Sequence, residues 1–389
     1  MDEDISWNNM ITRNLFEKIE TRLFKGKVIL IFGTRRVGKT TLLRQLIDVH
    51  QNAGRKCIYL NCDLLSVKQS LETTNEQLLK QYLGSFDLVC IDEAQNVANI
   101  GQTLKIIHDL FPKIQVIATG SSSFDLANKT GEPLVGRSRT FLLYPFALNE
   151  IAEEKNIFSL QANLDNFLRF GLYPTLQSMD EEEAREELEN LVNGYLYKDI
   201  LAFESIKNSH ILLKLLQCLA LQLGSEVSFN ELANTLGISL NTVKKYIDLL
   251  EKCYVIFTLN AFSKNLRNEI NGNRTRKIYF YDVGIRNALI GNFQRPELRN
   301  DIGGIWENFC IVELMKKAQK EGKFPHRYFW RTYQGQEIDF LEEIDGQIFS
   351  YEFKYNANKQ AKLPKAFQDT YSVARYSVIN KQNCLEYLL

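Results

Sequence analysis

The chain has 389 residues, more than one hydrophobic core ordinarily serves, so two to four domains are expected. Its 45% hydrophobic and 24% charged residues suit a globular protein. The 47 basic residues match 47 acidic ones, which excludes a chain-wide electrostatic pull toward nucleic acid or membrane but still permits a locally basic domain. The acidic, polar start MDEDISWNNM is unlike a signal peptide, no run approaches the roughly 18 apolar residues of a membrane span, and the seven cysteines lack the paired spacing of a zinc site. Cys57, Cys62 and Cys90 fall in or beside apolar runs and are expected as reduced core thiols, so a cytoplasmic location is expected.

Lys27 to Phe32 hold the apolar run VILIF, the pattern of a strand buried on both faces of a parallel sheet. It leads directly into Gly33-Thr34-Arg35-Arg36-Val37-Gly38-Lys39-Thr40, a complete G-x-x-x-x-G-K-T, and a helical pattern follows. Polyphosphate must approach the backbone closely, which Gly33 and Gly38 permit. The loop N–H groups and the helix N-terminus then face the phosphates. Lys39 places a cation near the β- and γ-phosphates, and the Thr40 hydroxyl suits Mg²⁺. Thr41 is read as a helix residue supporting the loop, so the expected ATP contacts run from Gly33 to Thr41.

A second buried strand, Leu88 to Ile91, ends in Asp92-Glu93. An apolar strand closing on Asp-Glu is the Walker B arrangement: Asp92 is expected to hold Mg²⁺ through water, and Glu93 to polarise the attacking water. Lys56–Leu60, Ile114–Ala118 and Thr140–Leu143 supply further strands, with helical stretches between them, so the topology expected is a doubly wound parallel sheet. The fourth strand runs into Thr119-Gly120-Ser121-Ser122-Ser123. Ser121 is the candidate γ-phosphate sensor, with a helix cap and turn as the alternative.

The segments VILIFGTRRVGKTTLL, LVCIDEAQNV, VIATGSSSFDL and LVGRSRTFLLYPFALNEI resemble a branch of the AAA+ superfamily: prokaryotic ATPases with an AAA core and an appended C-terminal domain of unknown function. The resemblance runs over nearly the whole chain. It implies a role for the Gly136-Arg137 pair before the fifth strand, with Arg137 or Arg139 as an arginine finger or sensor. A surface arginine beside an edge strand is the alternative.

From Phe146 to about Phe203 the pattern is helical and includes the acidic run Asp180 to Glu183, read as a solvated helix start. Its place in the chain matches the small helical lid of AAA+ proteins. After the helix ILLKLLQCLALQLG, Ser228 and Glu231 form an S-x-x-E capping signal, Gly237 ends a second helix, and Leu240 to Leu250 form a third. A strand begins at Tyr254. Helix, tight turn, helix and strand make the winged helix-turn-helix pattern. Asn241, Thr242, Lys244 and Lys245 head the proposed recognition helix, and Lys264, Arg267, Arg274, Arg276 and Lys277 follow in a wing. With Arg286 these make six basic residues between 261 and 286 against Glu269 and Asp282, a patch suited to DNA phosphates. A protein-contact role is the alternative.

From Gly303 an α/β pattern restarts. A helix opens near Trp306-Glu307, and strands are expected at His326–Arg331, Gln336–Glu343 and Ile348–Lys354, with a hairpin signal at Asp345-Gly346. Asp339 precedes Glu352-Phe353-Lys354 by thirteen residues. Strand alternation puts Glu352 and Lys354 on one face, Asp339 on the paired strand can join them, and Glu307 can approach from the helix. Carboxylates plus a lysine can bind Mg²⁺ for phosphodiester cleavage. The arrangement resembles the PD-(D/E)XK nucleases, without the proline before the aspartate, and an exposed alternating strand is the bland alternative.

The domain reading is therefore a P-loop ATPase core at 1–145, a helical lid at 146–205, a winged helix at 206–290 and a nuclease-like α/β domain at 291–389. The leading functional reading is a Mg²⁺-dependent AAA-type ATPase that engages duplex or branched DNA. The alternatives are an ATP-gated endonuclease and a STAND-like signalling ATPase with a protein partner. AAA+ kinship implies a homo-oligomer, with a monomer as the alternative.

Overall fold

The computed structural model describes residues 11–121, 134–196, 209–263, 276–332, 334–359 and 361–389. The chain divides into two compact units, residues 1–146 with 252–254, and 147–251 with 255–389.

The first unit contains α1 (Asn14–Glu20), β1 (Val28–Phe32), α2 (Lys39–Asn52), β2 (Cys57–Asn61), α3 (Leu65–Leu71), α4 (Glu76–Leu83), β3 (Leu88–Asp92), α5 (Ile100–Leu110), β4 (Gln115–Gly120) and β5 (Ser138–Leu142). The strands form one parallel sheet in the order β2-β3-β4-β1-β5. Every residue of β1, β3 and β4 is buried, as helices on both faces require, so β1 reads as an unbroken apolar run and β3 and β4 carry polar residues only at or near their ends. Leu30, Phe32, Val89, Ile91, Val116 and Ala118 make the sheet's share of a core completed by Leu79, Leu83, Leu104 and Ile107 from the helices. Because β1 lies between β4 and β5, the loop after β1 opens beside the tips of β3 and β4, where open α/β sheets bind ligands.

The second unit opens with α6 (Leu148–Glu154), α7 (Ile157–Phe170) and α8 (Glu181–Asn190). The acidic run expected at a helix start caps α8: the Asp180 carboxylate accepts from the backbone N–H groups of Glu182 and Glu183. Then come α9 (Ser209–Leu221), β6 (Glu226–Val227), α10 (Phe229–Leu236), α11 (Leu240–Lys252), β7 (Ile256–Ala261) and β8 (Arg276–Phe280). Ser228 Oγ accepts from Glu231 N at the start of α10, Gly237 ends that helix at φ 65°, and Ser239 Oγ caps α11 through Thr242 N.

The remaining elements are α12 (Val283–Leu289), α13 (Ile302–Glu321), β9 (His326–Arg331), β10 (Glu337–Ile344), β11 (Gln347–Lys354), α14 (Lys365–Thr370), β12 (Val373–Asn380) and α15 (Cys384–Leu388). The expected hairpin joins β10 and β11: Ile344 faces Gln347, and both turn residues, Asp345 (φ 50°) and Gly346 (φ 77°), take the left-handed conformation of a two-residue turn. The seven described strands of this unit share one sheet, in the order β12-β11-β10-β9-β7-β8-β6. The parallel pairing of β7 with β9 joins residues that the sequence assigned to a winged helix with residues assigned to a nuclease-like domain. The seven cysteines are free thiols. Among the described residues no helix is long and apolar enough to cross a membrane.

Candidate functional site

The glycine loop is built by close approach. A Cβ at Gly33 would run into the backbone oxygen of Leu143, so only glycine fits at that turn. Gly38, at φ 95°, N-caps α2 in the left-handed conformation, and the helix then starts at Lys39. Lys39 is buried, and its ammonium lies inside the loop, donating to Gly33 O at 2.9 Å and Thr34 O at 3.0 Å. Arg35 and Arg36 point outward, while Val37 is fully buried beneath the loop. Thr41 continues α2, partly buried.

Two elements some fifty residues apart in sequence meet here. The Thr40 hydroxyl donates to Asp92 Oδ2 at 2.6 Å. Asp92 also accepts from Tyr59 OH at 2.7 Å and from the Thr119 hydroxyl, so three strands and the P-loop helix converge on one buried carboxylate. Burial, and then the bond to Asp92, push the Tyr59 phenol well above its usual range, so it stays a neutral donor. Glu93 sits in the left-handed region (φ 50°), its N–H shared between Asp92 Oδ1 and Thr119 Oγ1, both 3.2 Å away. Its carboxylate accepts from the Gln95 side-chain amide, which also lies 3.3 Å from Ser121 Oγ. The structure therefore brings Lys39, Thr40, Asp92, Glu93 and Ser121 together.

Sequence reasoning missed Tyr59, Gln95, Thr119 and Arg13. Arg13 is buried and donates to Val37 O and Tyr144 O, each at 2.6 Å, with its guanidinium over the Phe146 ring. It ties the P-loop to the chain leaving β5. Nothing local in the sequence marks it, because its partners lie 24 and 131 residues away.

Arg137 is not placed to act as a sensor on the loop of its own chain. Its carbonyl accepts from Val28 N at the beginning of β1, the opposite end of the parallel sheet from Gly33. Its side chain pairs with Asp109 at 2.8 Å, and together with His108 it holds that carboxyl well below the usual range. Arg139 pairs in register with Ile29, one step along β5. A parallel strand carries its residues away from the loop in proportion to their distance from its C-terminal tip, so neither arginine reaches the nucleotide loop of its own chain.

The donor set suits a metal-bound nucleotide. A hydroxyl and a carboxylate meet at the start of α2, an ammonium lies inside a backbone loop, and a helix N-terminus faces the same point. Fold and site together have the form of a P-loop nucleotide-binding domain. Residues 25–152 match the family described as AAA domain. Residues 302–387 match a domain of unknown function, DUF4143, and residues 161–295 match another, DUF8612, which spans the region that the sequence divided between lid and winged helix.

An uncharacterized protein of Methanocaldococcus jannaschii, MJ1544, is 28% identical over 343 residues, 83% of this chain and 74% of its own. The uncharacterized protein Rv2008c of Mycobacterium tuberculosis is 25% identical over 346 residues, 88% of this chain and 73% of its own. Among solved structures, AMPPCP-bound DnaA from Aquifex aeolicus aligns over 63% of this chain and 90% of its own, at 17% identity and a TM-score of 0.31.

In the second unit the expected nuclease residues do gather. Glu307 projects from α13, Asp339 lies where β10 slips register against β9, and Glu352 and Lys354 stand on β11. They meet a residue that the sequence assigned elsewhere. Lys277 is only 2% exposed, and its ammonium pairs with Glu307 at 3.0 Å and Glu337 at 2.5 Å. Tyr279 OH donates to Glu307 as well. Asp339 accepts from Phe353 N at 2.8 Å, and Lys354 bonds Glu352 at 2.5 Å. Burial raises Glu307 to about 7 against the pull of Lys277, and burial also raises Asp339 and Glu352.

Two corrections follow. Among the described residues no three His, Cys, Asp or Glu side chains are grouped to hold a metal ion. Here Glu307 pairs with Lys277, while Lys354 lies against Glu352 and 3.9 Å from Asp339. Lys277 is not a surface cation for DNA, and Arg286 is buried against Asp301 at 2.5 Å. Asn241, Lys244 and Lys245 are exposed on α11, Thr242 is half-buried against Ser239, and Arg276 lies over the Phe229 ring at 4.3 Å. Lys264, Arg267, Glu269 and Arg274 lie outside the described residues.

Proposed function

We propose that this chain binds ATP with Mg²⁺ on the segment from Gly33 to Thr41, hydrolyses it, and couples nucleotide state to DNA held by the second unit. The observation that carries the reading is the 2.6 Å contact between Thr40 and Asp92, which joins the P-loop helix to the Walker B strand where a metal would be shared. Bound Mg²⁺ supplies charge neutralisation at the β- and γ-phosphate oxygens. Lys39 offers a buried cation to the same oxygens, replacing the carbonyls it now faces. Thr40 supplies a metal-binding hydroxyl, and Asp92 a carboxylate oriented by Tyr59 and Thr119. Glu93 takes the proton of the attacking water, and Ser121 senses the γ-phosphate.

The DNA part is supported by Asn241, Lys244 and Lys245 on the exposed N-terminal half of α11, with Thr242 between them. A protein partner is the second reading, and the burial of Lys277 and Arg286 favours it by withdrawing two of the six basic residues from any phosphate-binding face. The lysine-paired carboxylates weigh against metal-dependent cleavage by the C-terminal residues.

The test is a melting shift with Mg-ATP for wild type and Lys39→Ala, followed by gel shifts on duplex, single-stranded and branched DNA with and without ATP. An equal shift in both proteins sinks the nucleotide site. Retained ATPase with no DNA bound at low salt transfers the second unit to a protein partner.

A further inference from the structure

Gln95 lies three residues beyond Asp92, in a short turn of helix (Ala94–Asn96) at the exit of β3. Its side chain is the link between two groups already assigned to hydrolysis. Its amide nitrogen donates to Glu93 Oε2 and lies 3.3 Å from Ser121 Oγ. A carboxylate only accepts, so the end of the amide facing Glu93 must be the NH₂ group, and the orientation of the side chain is fixed. That leaves Gln95 Oε1 buried and without any hydrogen-bond partner among the described residues. A buried carbonyl oxygen left unpaired is uncommon and calls for a donor.

We infer that Gln95 is the positioning residue for the attacking water: its free carbonyl accepts one water proton while the Glu93 carboxylate accepts the other. A water molecule has two protons, and in-line attack fixes the direction of its lone pair. One acceptor leaves the water free to rotate about a single hydrogen bond; two acceptors fix its plane. Glu93 and Gln95 provide two, and the bond between them fixes their relative positions. The contact to Ser121 connects the same amide to the residue assigned to the γ-phosphate. In the step itself, the water oxygen bonds to the γ-phosphorus as the bridging P–O bond to ADP breaks. The water's proton passes to Glu93, and Gln95 neither gains nor loses one. The Glu93 backbone, held in its left-handed conformation by Asp92 and Thr119, keeps the pair in place before ATP arrives.

The inference rests on the ATPase reading above, and the experiment separates the two. Mg-ATP melting shifts and steady-state hydrolysis are measured on the full chain for wild type, Gln95→Ala and Gln95→Glu. Gln95→Ala is expected to lower kcat at least tenfold while KM and the melting shift stay within about twofold. Gln95→Glu, which loses the NH₂ donor to Glu93 and Ser121, is expected to lose turnover while keeping the Mg-ATP melting shift. A merely structural Gln95 would change nucleotide-free melting and KM together, which overturns the inference. An unchanged kcat in Gln95→Ala overturns it as well. Wild type that binds Mg-ATP without turnover removes the hydrolytic role and leaves the binding site standing. Wild type with no Mg-ATP shift removes both.

Discussion

The Thr40 hydroxyl reaches Asp92 across 52 positions of sequence, at 2.6 Å. The contact makes the two residues one unit, so removing either should act on the same property. Thr40→Ala is expected to weaken Mg-ATP binding at least tenfold while changing ATP binding in EDTA little, as measured by titration with and without chelator. Equal weakening in both conditions would place Thr40 in loop stability instead.

Glu93→Gln removes the proton acceptor and keeps the shape. It is expected to retain the Mg-ATP melting shift and to lose turnover by about 10²–10⁴-fold, the range for a general base. Near-normal phosphate release from this variant would take Glu93 out of the chemistry.

Gly33→Ala tests the loop geometrically. The added methyl meets the Leu143 carbonyl, and that segment is itself fixed by the bond from Leu143 N to Phe32 O at 2.7 Å. Destabilisation of about 1–3 kcal/mol is expected from such overpacking, together with loss of the nucleotide shift. Wild-type melting would mean the backbone yields there.

Glu307 gives the second unit a pH signature. Its carboxyl is raised from 4.5 to about 7 in the folded chain, so the native state holds a proton that the unfolded state has released between those values. That contribution to stability is complete below about 4.5 and is lost as pH rises through about 7, with a slope of up to about 1.4 kcal/mol per unit. Urea midpoints should fall over that window in wild type and fall less in Glu307→Gln. Lys277→Met should lose about 3–5 kcal/mol at pH 8, where Glu307 is left charged and unpaired, and less at pH 5.

Lys244→Ala with Lys245→Ala is expected to weaken DNA binding and lower the salt slope by about two. The same assay on Lys277→Met should show an unchanged slope, since a buried ammonium releases no counterions. A slope reduced equally by Lys277→Met would return that residue to the surface.

The nucleotide loop and the Asp92-Glu93 tip were legible because polyphosphate chemistry demands particular residues at fixed local spacing, between a strand and a helix that each announce themselves by periodicity. Gln95 and Thr119 were not, since a polar residue past a strand tip is equally a cap or a turn until its partner is known. Lys277 was misassigned for a related reason. Counting charge along 261–286 cannot tell which face of β8 a residue occupies, and one face of β8 turns to Glu307. A sensor role for Arg137 within its own chain fails because the residue is close to β5 in the chain but at the far end of the sheet from the loop. The strand β12 was absent from the expectations, for VARYSVIN alternates weakly and its pairing with β11 is parallel, so no hairpin turn marks it.

The shared sheet of the second unit limits how the protein can be dissected. Cutting the chain at 290 would strip β9 from β7, leaving an open row of backbone amides that invites pairing with another molecule. The same cut would orphan Lys277 and unseat Phe280, whose N–H and C=O are both closed by the Asn308 side chain. Fragments designed from sequence boundaries should therefore precipitate, and a DNA-binding assay on an isolated 206–290 piece would report on misfolded material rather than on recognition.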